Sequence, residues 1–305
     1  MPITEDAFRA GIRAESKAVE ANLAGFDAGL RAARGDVALQ AHQQVDRYAA
    51  VKGAEVLYKR AAEVFTADIQ PVLTHAISRL IDFQDADYAA SYLHRLAIFS
   101  QSDTCVIEAV ARHLAVRMSF EDVIRVAQAK IRPERRDRIR SEAGAEPGDT
   151  VIVTEFLKPG ITEFCDILPE GIARRILARA EKSHSLRSWH KGMELNSSSI
   201  TGFLKLKTLA GMRRWRRRTW RYRREQEAID GWLWMIERAL PLSGALAVEI
   251  AECARLIKGY GDTHKRGTVN FSLIEKALIA PALAQDFDVD TAAEHIAAAR
   301  DAALA

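Results

Sequence analysis

The chain has 305 residues, of which 48% are hydrophobic and 28% charged, so it is long enough to bury a sizeable core and is not intrinsically disordered. Its net charge of +3 is small for this length, and no uninterrupted apolar run reaches the roughly 20 residues that a membrane-spanning helix requires. The N-terminus lacks the basic and apolar layout of a secretory signal. These features predict a soluble, cytoplasmic globular protein with no membrane partner.

Helical periodicity dominates the first half of the chain, where apolar residues recur at spacings of three and four. Proline at a first helical turn and acidic or hydroxyl residues before an apolar run mark the expected helix starts. The predicted helical segments are residues 4–34, residues 37–65 after a break at Gly35, a helix from Pro71, one from Tyr88, residues 103–132 with an interruption and new cap at Ser119–Asp122, and a basic helix from Pro133 to Ala143.

Two short segments in the middle of the chain alternate as β-strands do. Residues 150–156 are rich in β-branched side chains, and residues 193–200 repeat the pattern after a helix predicted at 171–182. We expect the two to pair as a small antiparallel ribbon. Because helical periods far outnumber strand-like ones, the predicted fold class is mainly α, a multi-helix globular domain with a two-stranded antiparallel ribbon.

An acidic segment, residues 82–87, lies between two predicted helices and suggests a partner of positive charge. Calcium is disfavoured because the glycine and the terminal glutamate of an EF-hand loop are missing. The structural alternative is a set of carboxylates that stabilises a helix N-terminus. We select Asp82, Gln84 and Asp85 as binding or interface candidates, with a cationic loop near residue 265 as their expected partner.

The most distinctive composition is an arginine-rich segment, residues 203–224, in which tryptophans and a tyrosine are interspersed with arginines. Such a segment could grip a phosphate backbone and stack bases, as nucleic-acid-binding surfaces do. It could also contact an acidic protein, or it could cover aromatic surface and pair with acids of neighbouring helices. The candidate contact residues are Arg213, Arg214, Trp215, Arg217, Arg218 and Trp220.

The last third of the chain is predicted to contain helices at residues 225–240, 245–258 and 269–283, and one from Asp290 or Thr291 to Leu304. Two glycines, Gly259 and Gly261, can adopt positive φ and end the second of these helices. A polar loop should follow and bring together an acid, an imidazole and two cations, namely Asp262, His264, Lys265 and Arg266. The two cations are the expected partners of the acidic segment. His264 is the one histidine considered for acid–base chemistry, and its structural alternative is a cap on the preceding carbonyls.

Local motifs that define common catalytic centres do not occur in the sequence. Cys105, Cys165 and Cys253 are far apart and form no Cys-x-x-Cys pair, so we expect buried, reduced thiols and no disulfide framework or iron–sulfur site. The sequence has no Gly-x-Ser-x-Gly elbow, no Gly-x-Gly-x-x-Gly after a strand and no Gly-Asp-Gly segment of a thiamine enzyme. We therefore assign no catalytic residue and no metal ligand, and His264 is the only candidate for catalysis.

Three longer segments resemble one protein family. They are SRLIDFQDADYAASYLHRL at residues 78–96, FEDVIRVAQAKIRP at 120–133 and ECARLIKGYGDTHKRG at 252–267. Together they resemble the uncharacterised C-terminal domain of indolepyruvate ferredoxin oxidoreductase and of the related indolepyruvate oxidoreductase subunit beta family proteins. Residues 4–33 look like the end of the gamma-type domain that precedes it there. The chain would then be a fragment, a split gene product or a separated subunit.

The resemblance implies a helical N-terminal segment over residues 1–65 and a helical C-terminal domain over residues 66–305. It implies a non-catalytic domain or subunit of an indolepyruvate-type 2-oxoacid:ferredoxin oxidoreductase, which supports assembly or shields the active site. Thiamine diphosphate, Mg²⁺ and iron–sulfur clusters would be bound by partner polypeptides and not by this chain. The direct partner would be the large thiamine-dependent subunit and ferredoxin an indirect one, which makes nucleic acid an unexpected partner. The alternative hypothesis is an independent helical binding module whose arginine-rich segment contacts nucleic acid or an acidic protein.

Overall fold

The computed structural model describes residues 4–14, 19–34, 51, 53–187, 189–259 and 261–305. The chain divides into two compact units, residues 1–47 and residues 48–305. None of the described helices is both long and apolar enough to cross a membrane. The predicted break at Gly35 and much of the helix predicted over residues 37–65 lie outside the described residues. The proposed family boundary at residue 65 stays a prediction.

The first unit contains a pair of helices, α1 (Glu5–Ala14) and α2 (Val19–Ala33). Arg9 joins them, because its guanidinium lies 2.8 Å from the carboxylate of Glu5 and 2.5 Å from that of Asp27. The rings of Phe8 and Phe26 stack with their centroids 5.7 Å apart. No residue of either helix is fully buried, so this pair encloses little apolar surface of its own.

The second unit is mainly helical, and the predicted fold class is confirmed. Its first half contains, in chain order, α3 (Glu55–Val64), a 3₁₀ turn (Ala67–Ile69), α4 (Gln70–Phe83), α5 (Ala86–Leu96), a 3₁₀ turn (Ala97–Phe99), α6 (Thr104–Met118), α7 (Val123–Lys130), α8 (Pro133–Glu142), β1 (Thr154–Leu157), α9 (Ile161–Cys165), α10 (Glu170–Lys182), α11 (His184–Arg187) and β2 (Met193–Asn196). Its second half contains α12 (Ile200–Gly211), a 3₁₀ segment (Met212–Arg218), α13 (Trp220–Ala239), α14 (Gly244–Glu252), a 3₁₀ turn (Cys253–Leu256), α15 (Gly261–Ile274), a π-helical turn (Glu275–Ile279), α16 (Ala280–Leu283) and α17 (Val289–Leu304).

The main core lies where α4, α5, α6, α13 and α14 pack together. Trp232, Tyr92 and Tyr88 of this core carry polar atoms, and each of these atoms has a partner, so their burial leaves no hydrogen bond unmade. Three such bonds go to backbone carbonyls: Trp232 Nε1 donates to Ile250 at 3.0 Å, the Tyr92 hydroxyl to Ala111 at 3.0 Å and the Tyr88 hydroxyl to Met118 at 2.9 Å. These bonds hold α13 on α14, and α5 on α6, in one register.

The two predicted strands do form an antiparallel ribbon, in which β1 pairs with β2 through Glu155 opposite Leu195. Each strand is shorter than predicted, and β2 ends at Asn196 because Ser199 caps the next helix. Its hydroxyl accepts a hydrogen bond from the Gly202 amide at 3.1 Å and so caps α12. Glu155 is buried and lies 2.8 Å from Arg135 of α8, which attaches the ribbon to the helical body.

Aspartates cap two of the predicted helices. Asp122, the last residue of the predicted cap segment, caps α7 by accepting from the Arg125 amide at 2.6 Å. Asp288, rather than Asp290 or Thr291, caps α17 by accepting from the Thr291 amide at 2.8 Å. In both cases the aspartate lies directly before the helix, where a short carboxylate reaches the exposed amides of the first turn. Cys105 is exposed, whereas Cys165 and Cys253 are buried as expected, and all three are free thiols.

Gly259 and Gly261 have the predicted positive φ values, 72° and 59°, but they do not end the helix before them, since α14 already ends at Glu252. The loop predicted after them is wrong, however. α15 begins at Gly261, so the polar run lies on the first turns of a helix, and the helix before it is shorter than predicted because α14 ends at Glu252. Gly267 lies at the inner face of α15, and a Cβ atom there would lie 2.0 Å from the Leu256 carbonyl oxygen. The absence of a side chain therefore lets α15 pack directly on the preceding turn.

Candidate functional site

Arg216 is the centre of a buried polar network inside the second unit. It belongs to the arginine-rich segment, yet its side chain is 0% exposed. Its Nε donates to Asp122 Oδ2 at 2.7 Å and its Nη2 to Asp122 Oδ1 at 3.2 Å, so the pair is bidentate. Its Nη1 donates to the Phe83 carbonyl and to Gln84 Oε1, the latter at 3.1 Å. The guanidinium also stacks 3.9 Å from the centroid of the Phe83 ring.

The acidic segment forms ion pairs with arginines from three places: α7, the turn between α7 and α8, and the 3₁₀ segment before α13. Asp82 Oδ2 lies 2.8 Å from Arg125 and 2.5 Å from Arg132. Burial raises the pKa of Asp82, but the two positive charges outweigh it, so the pKa lies below its ordinary value. Asp85 caps α5 through the Tyr88 amide and lies 2.6 Å from Arg217. The acidic segment is thus paired with cations other than the two that were predicted, Lys265 and Arg266.

Among the remaining candidates of the arginine-rich segment, the two tryptophans contact other parts of the second unit, whereas the four arginines are exposed to solvent. Trp215 Nε1 donates to the Ile167 carbonyl at 3.1 Å, and the Trp220 amide donates to the Leu168 carbonyl at 2.8 Å, so both tryptophans hold the loop after α9. Arg213, Arg214, Arg217 and Arg218 are exposed, and Arg218 lies 5.6 Å from the centroid of the Trp215 ring. This mixture of contacts favours intramolecular packing as the role of the segment.

A second buried network surrounds Glu225 at the start of α13. Glu225 Oε1 lies 3.0 Å from Arg221 Nη2 and 3.3 Å from His264 Nε2. Burial raises the pKa of Glu225, but His264, Arg221 and Arg117 together lower it to about 2. The carboxylate is therefore ionised at neutral pH although its side chain is only 5% exposed. Glu225 is therefore the one carboxylate that interacts with Arg221, Arg117 and His264 together.

Arg117 of α6 lies close enough to Glu225 to interact with its charge, but not all of its N–H groups have a hydrogen-bond acceptor. Its side chain is buried, and among the described residues its Nε and Nη1 have no hydrogen-bond acceptor. The guanidinium instead lies 5.2 Å from the centroid of the Trp232 ring and 5.9 Å from that of Phe271. Burial lowers the pKa of Arg117 to about 10, against an opposing effect of Glu225. Its charge is therefore balanced mainly by a carboxylate that it shares with other groups.

Asp166 adds a second carboxylate next to the Glu225 network. Its oxygens lie 3.7 Å from Arg221 and 3.9 Å from Arg224. Burial raises the pKa of Asp166, and the nearby Glu163 and Glu225 act in the same direction, so it lies above its ordinary value in spite of the two arginines. The backbone of Asp166 also accepts from the Arg221 amide. The network therefore joins the loop after α9 to α13.

The four polar residues at the start of α15 are not brought together as one site. His264 turns inward to Glu225, whereas Asp262, Lys265 and Arg266 are exposed. Lys265 lies 3.6 Å from Asp262, one turn away on the same helix. An ion pair between exposed groups of this kind contributes little to stability. His264 is therefore the member of this group that connects α15 to the interior.

Replacing Glu225 by glutamine should destabilise the protein in a pH-dependent way. At neutral pH we expect the free energy of unfolding to fall by on the order of 2 kcal/mol, because Arg117 and Arg221 lose their shared anion. The folded-state pKa of Glu225 is depressed, so its stabilising contribution is complete above its ordinary value of 4.5 and is lost as the pH falls towards about 2. Urea denaturation across this range should show the difference between the two proteins shrinking as acid is added.

The matched control for this variant is Glu227→Gln, two residues further along α13. Glu227 is 64% exposed and lies 3.2 Å from Arg223. Its replacement should change the free energy of unfolding by less than about 0.5 kcal/mol at any pH in the range. A Glu225→Gln effect that is equally large at neutral and acid pH would contradict the assigned role of its charge.

Sequence reasoning missed the residues that carry both networks. In the sequence Asp122 belonged to a predicted cap, Arg216 was one arginine among many, and Glu225 was the first residue of a predicted helix. Arg117 did carry a signal, because it lies at helical spacing from Val110 and Leu114 on the apolar stripe of α6. A charged residue on such a stripe is buried and must find partners. Within the part of the chain that the structure describes, no group of three or more histidine, cysteine or acidic residues is arranged to hold a metal ion.

Fold and networks together define a mainly α-helical domain held by buried arginine–carboxylate contacts. Residues 69–277 match the model of a family of unknown function (DUF6537), and because the match covers more than half of the chain, the chain belongs to that family. No curated protein and no solved structure is significantly similar to the sequence. The matched region contains Asp122, Arg216, Glu225 and His264, so both networks lie within it.

Proposed function

We propose that the chain is a non-catalytic accessory domain of an indolepyruvate-type 2-oxoacid:ferredoxin oxidoreductase, in which it supports assembly or shields the active site. The proposal rests on the resemblance of residues 78–96, 120–133 and 252–267 to that family. Thiamine diphosphate, Mg²⁺ and iron–sulfur clusters would be held by partner polypeptides. The large thiamine-dependent subunit would be the direct partner, in the cytoplasm.

One observation supports a structural, non-catalytic role more than any other. Polar residues of two of these segments, 78–96 and 120–133, are joined to one another through arginines. Asp82 of the first segment pairs with Arg125 and Arg132 of the second. Arg216 then joins Gln84 of the first to Asp122 of the second. Groups that hold one another in a fixed arrangement in this way provide rigidity, which is what a domain that organises a larger enzyme requires.

The proposal is tested by mixing the purified chain with the thiamine-dependent large subunit from the same cell. Size-exclusion chromatography should show co-elution, and indolepyruvate-dependent viologen reduction should differ with and without the chain. In the same mixture Arg216→Lys should reduce the effect because the framework is weakened, whereas Arg214→Ala, at an exposed position, should leave it unchanged. Separate peaks together with unchanged activity would refute the accessory role and favour an independent helical binding module.

A further inference from the structure

α12 is an apolar helix of which only one stripe is buried. Leu206 and Ala210 belong to a small apolar cluster that packs α12 on α7. The other stripe is uncovered, since Ile200 is 80% exposed, Leu204 53% and Phe203 37%. These three residues lie one helical turn apart or side by side, so they form one contiguous patch. A contiguous apolar patch on a water-facing helix is typical of a contact surface.

A groove runs along one side of this patch. It has a volume of about 400 Å³, lies between α12 and α8, and is lined in part by Ile139 and Phe203. Leu204 lines this groove and also borders a shallow, open depression formed by residues of α12 and by Met212. A second helix can pack along such a surface, because its side chains fill the groove beside the exposed leucine.

Positive charge surrounds the same patch. Arg136 lines the groove, Lys205 borders the depression, and Lys207 is exposed one turn after Phe203. Within the described residues none of these three cations forms an ion pair. No acidic residue occurs in the sequence between Glu194 and Glu225, so the charges of Lys205 and Lys207 have no acidic neighbour along the chain. The charge complement of this surface is an acidic partner.

We propose that Ile200, Phe203 and Leu204, with the flanking cations Arg136, Lys205 and Lys207, form a docking surface for an amphipathic helix of another protein. Apolar residues of that helix would fill the groove between α8 and α12 and cover Leu204. Aspartate or glutamate residues on its flanks would pair with the three cations. This inference goes beyond the proposed function, because it defines the chemistry of the occupant whatever larger protein supplies it.

The test uses a designed helical peptide with leucines along one face and glutamates along both edges, labelled for fluorescence anisotropy. We expect saturable binding that weakens as salt is added. A second peptide with lysines in place of the glutamates should bind at least about tenfold more weakly, because like charges meet at the rim. Absence of saturable binding by the glutamate peptide, or equal binding of the two peptides, would overturn the proposal.

Two variants locate the site on the protein. Leu204→Glu should weaken binding of the glutamate peptide by at least about tenfold, whereas Leu273→Glu should not change it. Leu273 is the matched control because it is also an exposed leucine on a helix, 61% exposed on α15. Circular dichroism and thermal unfolding verify that both variants fold. Equal affinities of the two variants would overturn the assignment.

Charge reversal gives an independent readout that does not depend on apolar packing. The double variant Lys205→Glu and Lys207→Glu should weaken the glutamate peptide and strengthen the lysine peptide. Light scattering on the unlabelled protein tests a different occupant. If the wild type forms a dimer that Leu204→Glu dissociates, the surface binds a second copy of this chain and the proposal is overturned.

Discussion

Replacing Arg216 by alanine is expected to lower the free energy of unfolding by about 3–5 kcal/mol. The side chain of Asp122 is 4% exposed, so its carboxylate would remain buried without a counterion. The carbonyl oxygen of Phe83 and the side-chain oxygen Oε1 of Gln84 would lose their donor in the same step. Buried acceptors without donors add to the cost because water cannot reach them. Urea denaturation followed by circular dichroism at neutral pH measures the loss.

The control for Arg216→Ala lies two residues earlier in the same segment. Arg214 is exposed, and Arg214→Ala should change the free energy of unfolding by less than about 0.5 kcal/mol. Arg216→Lys should give an intermediate loss, because an ammonium keeps the charge but lacks the planar fork that binds both oxygens of Asp122. It also provides a measurable protein if the alanine variant does not fold. Similar stabilities of Arg216→Ala and Arg214→Ala would contradict the central place of Arg216.

Gly267→Ala is the second substitution expected to have a large effect. The added Cβ would lie 2.0 Å from the Leu256 carbonyl oxygen and 3.0 Å from its carbonyl carbon. Both are backbone atoms, so the contact cannot be relieved by rotating a side chain. α15 would have to move away from the preceding turn, at a cost of about 3 kcal/mol or more. The expected result is a lower urea midpoint, with the far-ultraviolet spectrum still helical.

Gly231→Ala is the matched control, because Gly231 also lies inside a helix, α13, but in open space with no atom within 4 Å of an added Cβ. Alanine is the better helix former, so this variant should be more stable than the wild type by about 0.5–1 kcal/mol. The two variants make the same chemical change with opposite expected signs. If Gly267→Ala were also neutral or stabilising, the close packing of α15 on Leu256 would be disproved.

The helices and the ribbon were predictable because their apolar residues follow the period of the element. The start of α15 was not, for a physical reason. Its first two turns face solvent except at His264 and Gly267, so the apolar repeat begins only near Phe271. A polar run after two glycines therefore has the composition of a loop. The glycines do make a turn, but the turn ends at Gly261 and a helix begins there.

The site was less predictable than the fold because composition does not show which arginine faces inward. Arg216 is buried, whereas Arg213, three residues earlier in the same 3₁₀ segment, is exposed, so spacing along the chain does not single out Arg216. The acidic partners also lie far away along the chain. By contrast, the position of Arg117 on the apolar stripe of α6 could have been recognised from spacing alone.

The long separation between Arg216 and its partners has a consequence for synthesis of the protein. Asp122 lies 94 residues before Arg216, and Phe83 lies 133 residues before it. While the ribosome is making residues 131–215, the chain of α4 and α7 has already been synthesised. Arg216, the cation that balances Asp122, has not yet been added to the chain. These helices cannot reach their final packing with a buried, unpaired carboxylate. The early part of the second unit should therefore stay loosely packed, and accessible to chaperones, until residue 216 has left the ribosome.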